Sequence, residues 1–346
     1  NCFNYLFMKV IELHDCVWAG LQGRRAQLPH ALLLVGQKGL GKFDLARQFA
    51  ASLLCESPEM NGLACGNCLA CNWYEQGNHP DFRLLQPDAL GEDIESEDGK
   101  KKPSQQITID QVRGLDEFLN VGTHRGGLRI VIVNPTEAMN RSTANALLKT
   151  LEEPAASTLF LLVSSEPMRL LPTIRSRCQV VPVPLPNPHR SGKVLADAGI
   201  QEAGRWLALA GGAPGLAIEL SLSGQLAWLE TLVKRLSAGK QIDPLGLAAE
   251  LEKVIKDSKG KILLKHLVEA LQKWLIDLNL ARNGMPVRYF LAQAEIISGL
   301  ADMIPVVRLM HAYRAMISRR QEAEQPLNAR LFLEGIFLDY RSLFAN

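Results

Sequence analysis

Long apolar runs are missing from this chain of 346 residues. A membrane helix needs roughly 18 to 20 consecutive apolar residues. The longest candidates, Ile130 to Val133 and Leu159 to Val163, have only the length of buried strands, so no membrane association is expected. A dominant charge is lacking too. Thirty-eight Lys and Arg against 36 Asp and Glu leave a net +2, which excludes a surface that grips nucleic acid all over while leaving room for a local basic patch. Aromatics are scarce, at 6%, and this counts against strong autonomous binding of nucleic acid by base stacking. No secretory signal is expected, because Asn1-Cys2-Phe3-Asn4-Tyr5-Leu6-Phe7 has neither basic residues nor a cleavage site. Residues 1–7 read as sequence upstream of a start at Met8, and the expected compartment is cytoplasmic. What is present is globular: 47% hydrophobic and 21% charged residues, at a length that suggests two or three domains.

Cysteine is unevenly spread. Cys2, Cys16 and Cys178 are scattered, whereas Cys55, Cys65, Cys68 and Cys71 fall within 17 residues as C-x9-C-x2-C-x2-C. Gly62, Gly66 and Asn67 supply turns that let four sulfurs converge. Disulfides do not persist in a reducing cytosol, and a redox Cys-x-x-Cys pair does not require the third and fourth members. Four thiolates around a tetrahedral ion make structural Zn²⁺ the reading, closed to catalysis because no coordination position stays open.

Organisation changes near Pro182 to Pro188. Before that point, apolar runs at Ala31–Val35, Phe82–Leu85, Arg129–Val133, Leu159–Val163 and Gln179–Val183 alternate with helical patterns at Asp44–Leu54, Ile109–Asn120 and Thr143–Glu153. Continuous rather than alternating apolar strands predict a parallel sheet covered on both faces, hence an α/β domain. The stretch Asp88 to Pro103, with acids Glu92, Asp93, Glu95, Glu97 and Asp98 before Lys100 to Lys102, reads as a solvated, mobile loop. Beyond residue 189 the pattern is all-helical. Leu263, Leu267, Leu271, Trp274 and Leu278 mark one amphipathic face, and further helices are expected at Gln201–Ala210, Leu226–Leu236, Val287–Met303 and Leu327–Phe344. Gly211 to Gly215 breaks the first of these.

The sharpest motif follows the first strand. Gly36-Gln37-Lys38-Gly39-Leu40-Gly41-Lys42 is G-x-x-x-x-G-K between a strand and an amphipathic helix. In such a loop glycines let backbone N–H groups curl around phosphates, and the lysine reaches the outer ones. Two features depart from a working ATPase. Phe43 stands where a Ser or Thr hydroxyl ligates Mg²⁺, and Asn134-Pro135 stands where an acidic pair closes the strand Arg129–Val133. Glu137, two positions beyond the proline, reads as an exposed helix-start residue. The expectation is descent from an ATPase without retained hydrolysis.

His30-Ala31-Leu32-Leu33-Leu34-Val35-Gly36, the cysteine quartet, His79-Pro80-Asp81, Asn145 to Pro154 and Arg175-Ser176-Arg177-Cys178 follow one another in this order. Together they closely resemble the bacterial clamp-loader subunits of DNA polymerase III, in the AAA+ superfamily, and the degenerate nucleotide loop resembles the delta-prime type. The resemblance is strong over about residues 9–185. It implies a RecA-like P-loop domain at 1–185 with a zinc module at about 55–75, a helical lid at 186–226 and a helical collar for oligomerisation at 227–346. It also implies a hetero-pentameric ring with gamma/tau and delta subunits that loads the sliding clamp onto primed DNA, within the DNA-directed DNA polymerase (nucleotidyltransferase) holoenzyme. In that setting the chain is a stator without its own ATPase. Arg177 is then the arginine finger in trans, with Arg175 in support; the alternative is that both arginines merely finish a helix. Leu216 occupies the place of the lid's sensing arginine. ATP or ADP binding through Gly36, Gly39, Gly41 and Lys42 is left open.

Other residues have two readings. Ser165 is either a polar sensor after its strand or a cap. Cys178 reads as a small buried side chain, His79 as a turn or core residue, and Trp73 and Tyr74 as packing for the zinc module rather than stacking platforms. Two rival functions remain: an active gamma/tau-like clamp-loader ATPase, which Phe43 and Asn134 oppose, and a zinc-dependent nucleic-acid-binding protein, which the charge balance opposes.

Overall fold

Five short strands, β1 (Ala31–Val35), β2 (Phe82–Leu85), β3 (Arg129–Val133), β4 (Thr158–Ser164) and β5 (Gln179–Pro182), pair in parallel in the order β2-β3-β4-β1-β5. The computed structural model describes residues 9–91, 104–120, 122–123, 127–222, 226–258, 260, 262–323, 325 and 327–345. Most of the acidic stretch, including Glu92, Asp93, Glu95, Glu97 and Asp98, lies outside the described residues. The chain divides into two compact units, Asn1–Arg190 and Ser191–Asn346.

In the first unit, β3 and β4 are buried along their whole length and β1 along its first four residues. Alternate residues serve opposite faces, so both registers are apolar. Ala31, Leu33, Val131, Val133, Phe160 and Leu162 share one core with α4 (Ile109–Asn120), α5 (Arg141–Glu152) and α6 (Pro172–Arg175). Earlier in the chain lie α1 (Asp15–Gln22), α2 (Lys42–Leu54) and α3 (Leu69–Glu75), and α2 packs on β1, β3 and β4. The expected strands agree with the observed ones within a residue at each end. Helix α5 starts two residues earlier than periodicity predicts, because Asn140 caps it by accepting from the Thr143 N–H.

The second unit has no strand among its described residues. Its helices are α7 (Pro188–Asp197, crossing from the first unit), α8 (Ala203–Leu209), α9 (Pro214–Leu222), α10 (Leu226–Leu236), α11 (Pro244–Asp257), α12 (Leu264–Arg282), α13 (Ala294–Asp302), α14 (Val306–Glu322) and α15 (Ala329–Ser342). The predicted face Leu267, Leu271, Trp274 and Leu278 is buried in α12, whereas Leu263 sits exposed ahead of the helix. Trp274 Nε1 donates to Tyr340 Oη, which in turn donates to the Leu236 carbonyl, so one polar chain ties three helices. The expected helix Val287–Met303 begins only at Ala294, after a turn at Leu291–Gln293. The cause is Asp277, fully buried in α12. Its carboxylate accepts the backbone N–H groups of Arg288, Tyr289 and Phe290, which holds that segment off helical geometry. No single helix among the described residues is long and apolar enough to cross a membrane.

Candidate functional site

Strand order decides where chemistry gathers. The carboxyl ends of β3, β4 and β1 are neighbours, and the loops after them bring Glu137, Ser165 and Lys42 together. Gly36 ends β1 so close to β5 that an added Cβ would meet the Val183 carbonyl at 2.5 Å. Glycine is therefore required there by the sheet, whatever the loop binds. Gly39 and Gly41 take positive φ values of 82° and 74°, and Gly41 opens α2 with no side-chain cap. Leu40 between them is buried, and its carbonyl is hydrogen-bonded at 2.8 Å by His14 Nε2.

Lys42 is buried, and its ammonium is engaged by the chain itself. Nζ donates to the Gln37 carbonyl at 2.7 Å and to Ser165 Oγ at 3.0 Å. Ser165, the polar residue that follows β4, is thus the lysine's partner. Glu137 corrects a sequence expectation. It is half-buried rather than exposed, and its Oε1 accepts the backbone N–H groups of Ser165 and Glu166 at 2.8 and 3.2 Å. The loop after β3 turns back toward the lysine, which periodicity cannot reveal. Phe43 offers no oxygen at the metal position, and its ring lies 5.8 Å from the Arg47 guanidinium. Asp44 adds a carboxyl group to the first turn of α2, pushed up to about 6 by burial. Lys42, Gln37, Ser165 and Glu137 thus form one polar cluster at the strand ends.

Burial pulls the Lys42 ammonium down from 10.5 to about 8, with the Glu137 charge opposing the shift. Between those values the unfolded chain binds the proton and the folded chain does not, so stability rises with pH through that window. Lys42→Met removes the titration. The wild type should gain on the order of 3 kcal/mol relative to that variant between pH 7 and pH 10.5. Urea denaturation at the two pH values reads the difference; an unchanged gap would show that the lysine is not desolvated.

The four quartet sulfurs, Cys55, Cys65, Cys68 and Cys71, lie within 4.8 Å of one another. Cys55 Sγ is 3.9 Å from Cys68 Sγ, and Cys65 Sγ is 4.0 Å from Cys71 Sγ. A tetrahedral ion with metal–sulfur bonds near 2.3 Å requires edges of about 3.8 Å, so the set fits a metal ion. Gly62 and Gly66 bend the chain at φ 79° and 72°. The Cys65 N–H points at Cys55 Sγ and the Cys71 N–H at Cys68 Sγ, at 3.3 and 3.4 Å. Burial pushes the Cys71 and Cys55 thiols up, and a metal would have to displace those protons. The module is clasped from outside. Trp18 Nε1 and Gln22 Nε2 in α1 donate to the carbonyls of Asn61 and Gly62, and Tyr74 donates to the Arg47 carbonyl while packing edge-on against Phe82. Tyr74 is accordingly an anchor of the module. His79 is buried, with Nδ1 accepting the Asp81 N–H and its ring edge-on to Trp73, as a turn residue would be.

Cys178 is buried apart from the quartet, its thiol pushed up to about 11 by burial. It and Ile174 fasten a tight turn to the core, and Arg175 and Arg177, both half-buried, extend from that turn. Arg177 Nη2 meets Glu152 Oε1 at 2.7 Å, and its Nη1 donates to the Thr173 carbonyl at 3.0 Å. Arg175 Nη1 faces Met168 Sδ at 3.2 Å.

The family described as DNA polymerase III, delta subunit, matches residues 21–187. DNA polymerase III subunit delta' of Pseudomonas aeruginosa is 36% identical over 95% of this chain and 96% of its own length. This chain belongs to the DNA polymerase III delta-prime family. The Escherichia coli delta' subunit is 35% identical over 60% of this chain and 59% of its own. A gamma-subunit-related protein of Thermotoga maritima, solved as a crystal structure, aligns over 96% of this chain and 99% of that one with a TM-score of 0.42 and 17% identity. The family explains the order of the motifs. It does not by itself account for Glu137 or Glu152, whose roles appear only once the strand ends and the arginine turn are folded.

Proposed function

We propose that this chain is the non-hydrolysing delta-prime-type stator of the clamp loader, a cytoplasmic assembly. In it the chain joins gamma/tau and delta subunits in a hetero-pentameric ring that places the sliding clamp on primed DNA. Residues 1–185 serve as the nucleotide-binding-fold domain, 186–226 as a helical lid and 227–346 as the collar through which the ring assembles. The quartet Cys55, Cys65, Cys68 and Cys71 holds one structural Zn²⁺. Arg177 serves in trans as an arginine finger for ATP on the neighbouring subunit, with Arg175 in support.

The observation that carries the silent site is Lys42, held by Gln37 and Ser165 of its own chain beside a phenylalanine at the hydroxyl position. Arg177, by contrast, stands at the surface on a rigid turn and needs no cofactor of its own. The isolated chain should show no ATP hydrolysis above background, and Phe43→Thr should not restore it, because Asn134 supplies no carboxylate. One observation favours the rival reading of an active gamma/tau-like ATPase: Glu137 brings an acid close to Lys42. Turnover by the isolated chain that disappears in Lys42→Ala would establish that rival. Native mass spectrometry with purified gamma/tau and delta subunits tests ring membership directly.

A further inference from the structure

Helix α5 and the turn after α6 are separate elements, yet both are pinned to one core. Leu147 and Leu151 anchor the end of α5, and Ile174 and Cys178 anchor the turn. Their adjacent surface residues, Glu152 and Arg177, are therefore held at fixed roots. They meet as an ion pair at 2.7 Å, and the Thr173 carbonyl accepts a hydrogen bond from the same guanidinium. We infer that Glu152 is a positioning residue that aims Arg177 across the subunit interface. The inference rests on the reading that Arg177 reaches a neighbour's nucleotide.

The donor arithmetic permits this. A guanidinium carries five N–H donors in one rigid plane. One Nη1 N–H is given to the Thr173 carbonyl and Nη2 is paired with the Glu152 carboxylate, so even if the pair occupies one N–H, three remain for phosphate oxygens. The side chains of Arg177 and Glu152 are 34% and 48% exposed. A pair so exposed contributes little to folding, so its worth lies in restricting a long side chain to one presentation. An unrestrained arginine at the surface samples many rotamers, and most of them miss a γ-phosphate held by another subunit. Fixing the fork in advance leaves less ordering to be done when the transition state forms. A carboxylate that only parked the arginine would act in the opposite sense, since its removal would free the finger.

The test uses the reconstituted complex with gamma/tau and delta, carrying Glu152→Ala, Glu152→Gln, Arg177→Ala or the double substitution. Clamp- and DNA-stimulated ATP turnover is measured with kcat and KM separated, alongside native mass spectrometry for ring assembly. Glu152→Ala should lower kcat by about two- to fivefold, the range that an exposed ion pair can supply, with KM for ATP unchanged. Glu152→Gln keeps an acceptor oxygen at the same reach and should fall between the wild type and Glu152→Ala. The double variant should match Arg177→Ala alone, because Glu152 acts only through the arginine. A rise in kcat for Glu152→Ala, or a further loss on top of Arg177→Ala, overturns the positioning role. So does an unchanged kcat in Glu152→Ala when Arg177→Ala is impaired. If Arg177→Ala itself turns over ATP at the wild-type rate, it is the finger reading that fails, and the two failures are distinguishable.

Discussion

Arg177→Ala should lower ATP turnover at the interface it serves by on the order of 10³, while leaving the fold, the metal content and the assembly of the ring unchanged. The size of the effect follows from what phosphoryl transfer needs. Little covalent chemistry is left to the protein in that reaction, so positioned positive charge near the γ-phosphate supplies much of the rate. A guanidinium suits the task because it stays protonated and presents several donors in one plane. Here it stands on a turn whose backbone is closed by hydrogen bonds from Arg177 N–H to Ile174 O and from Ser176 N–H to Pro172 O. That turn is stapled inward by Ile174 and Cys178. Arg177→Lys should recover little, since an ammonium that kept both Glu152 and Thr173 would have one donor left, and it presents no planar fork to a phosphate. Steady-state ATPase and clamp-loading assays of the complex measure the loss. Wild-type rates in the Arg177→Ala ring would remove the trans-acting role and leave Arg177 as an ordinary surface ion pair. The consequence of the expected outcome is a division of labour: a subunit with no hydrolysis of its own sets the rate of hydrolysis next door.

Local pattern accounts for how much of this was legible in the sequence. Parallel strands buried on both faces leave continuous apolar runs, so all five could be placed within a residue or so. The phosphate-type loop and the cysteine quartet are short-range signatures whose spacing carries their geometry. Contacts between distant loops have no such signature. Glu137 lies 28 residues from Ser165, the backbone N–H it accepts, and only the adjacency of β3 and β4 brings them together. Glu152 and Arg177 meet for a similar reason, through α5 and α6 sharing a core. Asp277 misled the helix assignment after Val287, because a buried carboxylate that captures three consecutive backbone N–H groups outcompetes a good apolar period. Helix α14 was missed outright. Its Val306, Met310, Tyr313 and Ile317 are exposed while Leu309 and Met316 are buried, so apolar residues lie on two faces and the period is blurred.

The largest effect on structure should come from the cysteine quartet. Protein purified without chelator is expected to carry one Zn²⁺ per chain, and Cys68→Ser should release it. Structural zinc in small modules is worth on the order of 10 kcal/mol of apparent binding free energy at neutral pH. Three remaining thiolates cannot complete the tetrahedron, and the loss reaches past the metal. With the ion present, the segment between Cys55 and Cys71 is held from within by four bonds. Without it, only the outer clasp remains, formed by Trp18 and Gln22 on α1 and by Tyr74 against Arg47 and Phe82. Helix α3 spans only seven residues and takes its N-terminal cap from Cys68 Sγ; a helix that short has little stability of its own. Hydrogen exchange should therefore accelerate over residues 55–75 in Cys68→Ser, while β1, β3 and β4 keep their protection, because the sheet face packed on α4, α5 and α6 involves none of the four cysteines. The same contrast should appear on acidification of the wild type. Protons compete with the metal for sulfurs whose thiol forms burial already favours at Cys55 and Cys71, so zinc leaves as pH falls and the module loosens before the sheet. Elemental analysis finding no zinc in the wild type would reject the metal assignment. Unfolding of the whole first unit in Cys68→Ser would instead reject the picture of a module clasped onto an independently stable sheet.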